Sequence, residues 1–358
     1  MPCDTSTTRR LDFDRKAMRT RFCLVLGLLA TVVCSSRPLS AAEAPAPGVS
    51  IAVGKDRIDF LIGGEVVTRY HIDSAVARPY FWPLNGPGGA SLTRDWPLEK
   101  GRPGGSADHP HHRSAWFSHG DVIPEGVAIR VKSKRAEGVD FWLEDAGHGS
   151  IVCTEVGEPK LAADHGRILT RNEWRTADGM KVLDEARTIH LYDLGTETRL
   201  LVLDIDLHAS VAPIAFGDTD EGSMAVRVND LIRSVRDQGP GRIENAEGKV
   251  GEKGCWGALS AWCDYSGPIA GRTVGLAILA DPANPSPSCW QVRGYGLMAA
   301  NPFGRDRSGY PAMKGRTDRV MLPRGEHLKF RYGLLLHPGD AMEGKVAEHF
   351  RRFVDRKD

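Results

Sequence analysis

The stretch Thr198–Ser210, "TRLLVLDIDLHAS", decides the fold class because its side chains alternate strictly in character. One face is apolar and the other is largely polar, the two sets being Leu201, Leu203, Ile205 and Leu207 on one side and Val202, Asp204, Asp206 and His208 on the other. A period of two residues is typical of a β-strand that lays one face on a hydrophobic core. The stretch therefore predicts a long strand in a sheet with one covered face.

Similar segments lie on both sides of this one. "RIDFLIGGEVVTRYHI" has two β-rich runs around Gly63-Gly64, and "NEWRTADGMKVLDEARTIHLYD" has two runs around Asp178-Gly179. Both patterns predict β-hairpins, because these dipeptides adopt the turns that join antiparallel strands. "GVAIRVKSKRAEGVDFWLE", residues 126–144, alternates in the same way, and "RTVGLAILAD" and "HLKFRYGLLLH" are apolar enough for central strands.

Helical periodicity is evident near the C-terminus, in "GDAMEGKVAEHFRRFVDRK", where Met342, Val346 and Phe350 recur at four-residue spacing. The 40 glycines and 22 prolines indicate many turns, and no linker interrupts the strands. We therefore expect an all-β fold, a large two-sheet antiparallel β-sandwich with one C-terminal helix, as a single domain over residues 49–358.

The N-terminal residues 1–42 have the three parts of a secretory signal peptide. Arg19 and Arg21 precede an apolar run from Phe22 to Cys34, and small residues follow at 40–42. The run is short for a bilayer span, although a retained anchor is the alternative. We expect cleavage near Ala42, a spacer over 43–48, no stable membrane span afterwards, and export to the periplasm or the extracellular space.

Charge and cysteine content narrow the set of partners. Residues 1–42 hold seven cationic and three acidic side chains, so their removal changes the net charge from +1 to −3. No basic tract remains, which argues against nucleic acid as a partner. Four cysteines remain, and Cys255 with Cys263 is a candidate disulfide in an oxidising compartment, with free buried thiols as the alternative.

The segment Ser106–Val122, "SADHPHHRSAWFSHGDV", holds four of the twelve histidines. Because Pro110 disfavours helix at the preceding residue, the segment is extended or looped. One interpretation is proton transfer and sugar binding, with His111 and His112 as catalytic residues. In that case Arg113 anchors ligand oxygens and Trp116 stacks on a sugar face.

Two other interpretations of this segment stand beside the first. Imidazoles at close spacing also suit a divalent metal, zinc, copper or iron, with His109, His111 and His119 as ligands. A purely structural role, in which the imidazoles bond to backbone carbonyls, is the third. The first interpretation requires no cofactor.

Further candidate residues lie in other segments. Glu221, in "FGDTDEGSMAVRV", lies at the start of a β-like run, where a glutamate can act as a general base. Aromatic side chains beside planar polar groups suit a carbohydrate cleft. That pattern gives the substrate-binding candidates Arg78, Tyr80, Arg293, Tyr295 and Asn301, and His337 follows a strand-like run near the C-terminus.

The order of "RPYFWPL", "DHPHHRSAWFSHGDV", "GDTDEGSMAVRV", "AWCDYSG", "VRGYGLMAANPFG" and "FRYGLLLHPGD" resembles the PmoA-like family of exported bacterial proteins. The resemblance covers nearly all of the chain after residue 42. Members are often labelled methane oxygenase subunits, but a membrane-embedded subunit needs several spans of about twenty apolar residues. Beyond the leader this sequence has none.

The resemblance implies a β-supersandwich similar to galactose mutarotases. In such folds a histidine and a glutamate exchange protons with a sugar in an open groove. By that analogy His111 or His112 is the acid, Glu221 is the base, and Arg78, Arg113 and Arg293 hold the ligand.

Together these features predict an exported carbohydrate-active protein. We expect an enzyme that acts on a small-molecule sugar or sugar derivative by general acid/base chemistry, of epimerase, lyase or hydrolase type. The alternatives are a metal-dependent enzyme that uses the histidine cluster and a non-catalytic sugar-binding module.

Overall fold

The structure is a computed structural model that describes residues 48–101, 103–162, 164–195, 197–235 and 238–356. Within these ranges the chain forms two large antiparallel sheets, a small third sheet and little helix. The first large sheet has eight strands: β1 Val49–Val53, β2 Arg57–Ile62, β3 Glu65–His71, β4 Tyr80–Leu84, β5 Ala115–His119, β13 Gly222–Arg227, β17 Cys289–Arg293 and β18 Leu297–Asn301. Their order in the sheet is β1-β2-β3-β4-β5-β13-β18-β17.

The second large sheet has nine described strands: β7 Ser150–Val156, β8 Lys160–Leu161, β9 His165–Arg175, β10 Lys181–Asp193, β11 Arg199–His208, β14 Arg242–Asn245, β15 Trp262–Ile269, β16 Arg272–Ala280 and β20 His327–Pro338. Its order is β14-β15-β16-β20-β11-β10-β9-β7, and β8 pairs with β9. The third sheet joins β6 Val122–Pro124, β12 Ile214–Phe216 and β19 Val320–Leu322. The α-helices are α1 Gly251–Cys255 and α2 Val346–Asp355, and short 3-10 turns cover Pro87–Gly89, Asp230–Ile232 and Pro311–Met313.

The two large sheets pack face to face around one hydrophobic core. The inward side chains of β11 enter this core together with Phe60 and Phe117 of the first sheet. On the opposite face of β11, Val202 lies in a second cluster with Val346 and Phe353 of α2. The β-sandwich predicted from the alternation of β11 is therefore confirmed, and so is a C-terminal helix packed on it.

Both predicted hairpins are present. Gly63 and Gly64 join β2 to β3 with positive φ angles of 58° and 81°, which glycine adopts without steric cost. Gly179, with φ 85°, lies in the turn between β9 and β10. The strands β16 and β20 are neighbours at the centre of their sheet, as their apolar sequences predict. The C-terminal helix begins at Val346, so Met342 lies before it and is exposed.

The strand prediction for residues 126–144 is wrong. This stretch is a loop whose one ladder contact is the isolated bridge between Val139 and Val122. Side chains satisfy part of its backbone: Asp140 Oδ1 accepts from the N–H groups of Trp142 and Leu143. Val131 is exposed, so the alternation does not match a buried face. Composition alone does not distinguish this side-chain-bonded loop from a strand.

Two other predictions concern cysteines and the leader. Cys153, Cys255, Cys263 and Cys289 are free thiols, so the structure contains no bond between Cys255 and Cys263. The signal peptide and most of the spacer lie outside the described residues, and the domain boundaries stay predictions. Within the described ranges, no helix is long and apolar enough to cross a membrane.

The outer face of the first sheet positions the candidate site. Cross-strand partners on this face run from Tyr80 through Trp116 and Ala225 to Ala299. Two residues in this row, Ala225 and Ala299, are alanines. Their short side chains leave room above the sheet that larger side chains at these positions would fill. Arg227 and Arg293 lie further along the same face, because side chains two residues apart point the same way.

Candidate functional site

A cleft of about 520 Å³ opens on this face of the sheet. It brings together three segments that are far apart in the sequence. These are the imidazole loop, residues 106–113; the acidic turn, residues 218–221, before β13; and the hairpin of β17 and β18. Its lining side chains are His109, Pro110, His111, His112, Arg135, Trp142, Leu143, Glu144, Asp145, Asp220, Glu221, Gln291, Arg293, Tyr295 and Leu297. Of the predicted residues, His109, His111, His112, Glu221, Arg293 and Tyr295 therefore share one cleft.

Two arginines beneath the imidazole loop, residues 106–113, hold it in place. Asp108 Oδ1 accepts from Arg94 Nη1 and from Arg227 Nη2, each at 2.6 Å. Arg94 also donates to the carbonyl oxygens of Asp108, His109 and His112, at 2.9, 3.1 and 3.4 Å. Both arginines are buried, so these charge-assisted bonds fix the loop to the sheet.

The imidazole rings themselves are stacked. The ring of His109 lies nearly parallel to that of His112, at 4.8 Å, and to that of Tyr295, at 5.0 Å. His111 meets the His112 ring edge-on at 4.5 Å. His109 has a φ of 47°, an uncommon conformation for a residue other than glycine, which is maintained here by the bonds from Arg94 to the loop.

Two of the imidazoles in the cleft, those of His111 and His112, are neutral at physiological pH. Burial, followed by the positive charges of Arg78 and His109, lowers the pKa of His111 to about 3. Burial, the neighbouring His111 and Arg227 lower the pKa of His112 well below its ordinary value. Neutral imidazoles donate and accept hydrogen bonds but carry no charge.

Glu221 also lines the cleft, and its pKa is shifted in the opposite direction. Burial, followed by the negative charges of Asp140 and Asp220, raises the pKa of its carboxyl to about 7. Its backbone is fixed, since its carbonyl accepts from Gly120 N at 2.8 Å and its N–H donates to Thr219 Oγ1 at 3.2 Å. A partly buried carboxyl with a pKa near neutrality can both give and take a proton at working pH.

The wall beside Glu221 is a polar network. Asp220 Oδ2 accepts from Gln291 Nε2 at 2.7 Å and lies 3.5 Å from Arg293 Nη2. Gln291 Oε1 in turn accepts from Trp256 Nε1 at 2.8 Å. The Arg293 guanidinium lies over the Trp256 ring, 5.2 Å from its centroid. The network orients planar polar groups toward the cleft.

Several predicted ligand-binding residues do not line the cleft but support it. Arg78 is buried and donates to the carbonyl oxygens of His111, at 2.5 Å, and Phe141, at 3.1 Å. Trp116 is fully buried beneath the rings of His112 and Trp142. The prediction that Arg78 and Trp116 bind the ligand directly is therefore corrected. Both side chains belong to the floor of the cleft, because neither of them reaches its opening.

Arg113 and Tyr80 also support the wall rather than line it. Arg113 makes a bidentate pair with Glu144, at 3.0 and 2.8 Å. Its guanidinium lies 6.0 Å from the centroid of the Tyr80 ring, and Tyr80 is buried against His71. Arg113 was predicted to anchor a ligand, but its Nε and Nη2 donate to the Glu144 carboxylate, which itself lines the cleft.

Asn301 and His337, which were also predicted to bind substrate, do not line the cleft. Asn301 is buried, donates to the carbonyl of Thr219 at 2.8 Å, and accepts from the N–H groups of Phe303 and Gly304. It thus holds the acidic turn from behind. His337 belongs to β20 of the other sheet, where its buried Nε2 lies 2.8 Å from Asp264 Oδ1.

The predicted metal ligands are not brought together. His119 is fully buried, with Nε2 2.9 Å from the carbonyl oxygen of Gly217 and its ring against Phe303, while His109 and His111 line the cleft. A Cβ at Gly222 would lie 2.4 Å from His119 Nδ1, so this glycine gives room to the His119 ring. In the described ranges, no three His, Cys, Asp or Glu side chains form a group that could hold a metal ion.

Some residues of the site were missed from the sequence. Arg94 and Arg227 hold the imidazole loop, and Glu144, Asp145 and Gln291 line the cleft. Gln291 lies two residues before Arg293, which was singled out from the sequence, so the signal for it was close by. Arg94 lies in a glycine- and proline-rich stretch that gives no sign of a buried arginine.

Comparisons with known proteins give one family and a distant structural likeness. A family model described as a family of unknown function, DUF6807, matches residues 57–351. A search of curated proteins gives no match. Among solved structures, a galactose 1-epimerase from Lactobacillus acidophilus NCFM is similar, with 6% identity, a TM-score of 0.38, and coverage of 82% of this chain and 98% of that chain. The resemblance to the PmoA-like family is wrong, since the family found is a different one.

Proposed function

Because the chain belongs to the DUF6807 family, whose function is unknown, we propose its function from the cleft itself: an enzyme that moves protons on a bound sugar. The observation that carries the proposal is that Glu221, whose carboxyl has a pKa of about 7, lines the same cleft as the neutral imidazoles of His111 and His112. A proton donor or acceptor with a pKa near the working pH is what general acid/base catalysis requires.

The lining of the cleft favours a sugar over a purely apolar ligand. The side chain of Tyr295 supplies apolar ring surface, while Gln291, Arg293 and Asp145 supply planar polar groups. Sugars present both kinds of surface, because C–H groups lie on the ring faces and hydroxyl groups point outward from the edges. A cleft of about 520 Å³ lies in the usual range for small-molecule sites.

The electrostatics change the roles that the sequence suggested for the catalytic residues. An imidazole with a pKa of about 3, as for His111, is not protonated at neutral pH and cannot be the resting general acid. Glu221 is the group that is partly protonated there, and in this proposal it is the main proton donor and acceptor. His111 and His112 then hydrogen-bond the sugar as neutral rings and accept protons only transiently.

The proposed compartment follows from the leader. We place the mature protein outside the cytoplasm, in the periplasm or the extracellular space, where sugars and glycosides from the surroundings would be its substrates. Retention of residues 1–42 in protein recovered from the producing cell would overturn this placement.

The test is turnover of a sugar panel. Aldoses, ketoses, uronic acids and glycosides are incubated with the wild type, with Glu221→Gln and with Arg324→Ala, whose exposed side chain lies outside the cleft. Proton NMR follows anomeric exchange, epimerisation, elimination and glycoside cleavage. We expect conversion of at least one class, a loss of about 10²–10⁴-fold in Glu221→Gln, and no change in Arg324→Ala.

Other outcomes would favour the other hypotheses. Binding without turnover of any class would indicate a sugar-binding module rather than an enzyme. Loss of activity with a chelator, together with a stoichiometric transition metal, would favour the metal-dependent alternative. If none of the four classes is converted and none stabilises the protein against heat, the sugar proposal is overturned.

A further inference from the structure

A second cavity of about 230 Å³ adjoins the cleft. Arg135, Asp220 and Glu221 line both spaces, so Glu221 lies at their boundary. We call this second space the acidic chamber; Asp121, Asp140, Asp218, Thr219, Arg307 and Ser308 complete its main walls. The group with the pKa near neutrality therefore faces two spaces, and a ligand confined to the cleft would use only one of them.

The walls of the chamber are fixed by hydrogen bonds. Asp218 accepts from the backbone N–H groups of Arg305, Arg307 and Ser308, at 2.6, 2.7 and 3.1 Å. On the other side, Asp140 is buried and accepts from two backbone N–H groups. A cavity with walls held in this way is preorganised, so a ligand entering it would order few side chains.

The chamber differs from the cleft in its chemistry. Among the residues that the structure describes, no aromatic side chain lines it, and it presents carboxylates, two hydroxyl groups and two guanidinium groups. Such a surface bonds sugar hydroxyls but does not stack on a ring face. Five carboxyl groups against two arginines also disfavour a ligand unit that carries its own carboxylate.

We propose that the ligand is a saccharide of at least two units that spans Glu221. One unit occupies the cleft beside Tyr295 and the imidazoles, and a neutral unit occupies the acidic chamber. The linkage between the two units then lies beside the Glu221 carboxyl. This inference rests on the proposed function, because it takes the cleft to be a sugar site.

The experiment compares binding of single sugars and their dimers by calorimetry. The probes are glucose, galactose, xylose and N-acetylglucosamine, with cellobiose, lactose, xylobiose and chitobiose as the dimers and digalacturonate as the acidic dimer. The variants are Arg307→Ala at the exposed rim of the chamber, Arg307→Lys as the conservative change, and His109→Ala in the cleft. Arg324→Ala is the matched control, an exposed arginine that lines neither space.

We expect at least one neutral dimer to bind about tenfold or more tightly than its component sugars, and digalacturonate to bind weakly. Arg307→Ala should weaken that dimer about tenfold and leave the single sugars unchanged, Arg307→Lys should recover part of the loss, and His109→Ala should weaken both. Equal affinity for single sugars and dimers, or no effect of Arg307→Ala on the dimer, would overturn the two-unit inference while leaving the sugar site in place. Absence of binding by any probe would overturn both proposals.

Discussion

The guanidinium of Arg227 donates a hydrogen bond from Nη1 to Nδ1 of His112, over 3.2 Å. A guanidinium has no acceptor atom, so Nδ1 must supply a lone pair and the imidazole proton must be on Nε2. The same arginine binds Asp108 and lies 4.7 Å from the centroid of the Tyr295 ring. One buried side chain therefore sets both the position of the imidazole loop and the tautomer of His112.

This relationship predicts a spectroscopic signature. In the wild type, the nitrogen NMR shifts of His112 should show an unprotonated Nδ1 and a protonated Nε2 from pH 8 to about pH 5, because the pKa of His112 is well below its ordinary value. In Arg227→Met the donor that requires Nδ1 of His112 to accept a hydrogen bond is gone, so both tautomers of His112 should be populated. A proton on Nδ1 in the wild type would contradict the assignment.

Glu221 should lower the stability of the folded protein at neutral and higher pH. Its pKa is about 7 in the folded state and 4.5 in a free side chain, so the folded state binds the proton more tightly. As the pH rises from 4.5 to 7 the unfolded chain ionises first, and the free energy of unfolding falls by at most about 3 kcal/mol.

Glu221→Gln should remove this loss. Urea unfolding at pH 4.5 and pH 8 should show the variant more stable than the wild type at pH 8 and nearly equal to it at pH 4.5. Arg324→Ala serves as the control and should follow the wild type at both pH values. A wild type and a Glu221→Gln variant with the same pH dependence would show that the carboxyl is not destabilised by burial.

The buried pair of His337 and Asp264 should also make the free energy of unfolding fall as the pH rises, for the same reason. Burial alone lowers the pKa of His337, but the Asp264 carboxylate outweighs burial, and the pKa is raised overall. A histidine whose folded pKa is raised stabilises fully below its unfolded pKa of 6.5, and this contribution is lost as the pH rises through the folded pKa.

The measurement is the free energy of unfolding from pH 6 to pH 9. The wild type should lose stability over the upper part of this range, whereas His337→Gln should lose less, because it has no proton to release. In Asp264→Asn this loss should also shrink, since the carboxylate that raises the pKa of His337 is gone and burial then lowers that pKa. An unchanged profile in both variants would contradict the charged pair.

Arg94 should be needed for the imidazole loop to be ordered. Arg94→Met removes the donors to Asp108, His109 and His112 and leaves the packing of the long side chain largely intact. We expect a loss of about 2–3 kcal/mol in the free energy of unfolding and faster amide exchange over residues 106–113. Loss of stability with unchanged exchange in the loop would show that Arg94 supports the sheet only.

Much of the fold follows from local sequence patterns. The alternation in β11 predicts both the sheet and its two faces, because a strand that packs on a core must alternate. The dipeptides Gly63-Gly64 and Asp178-Gly179 mark hairpins for an equally local reason. Residues 126–144 alternate as well, but side-chain bonds from Asp140 to the backbone replace a strand partner there. That replacement depends on tertiary position and is not visible in composition.

The site is harder to predict, because the role of each residue in it depends on which side chains are buried by folding. The imidazole loop and Glu221 were singled out from local features, a histidine cluster and a glutamate at a strand start, and the structure places both on one cleft. Arg78, Arg113 and Asn301 were expected to hold a ligand, but they bind the backbone of His111, the carboxylate of Glu144 and the acidic turn. A sequence gives the donors of an arginine, but not the acceptors that folding places beside them.

The state of the Glu221 carboxyl, with and without a sugar, tests the central claim most directly. Carbon NMR of the wild type labelled at glutamate carboxyls, assigned with Glu221→Gln, gives the pKa of this group in the free protein and in the presence of a saturating saccharide. We expect titration near 7 in the free protein and a clear displacement when the saccharide binds. Titration near 4.5 that no saccharide displaces would contradict the proposal that this carboxyl exchanges protons with a bound sugar.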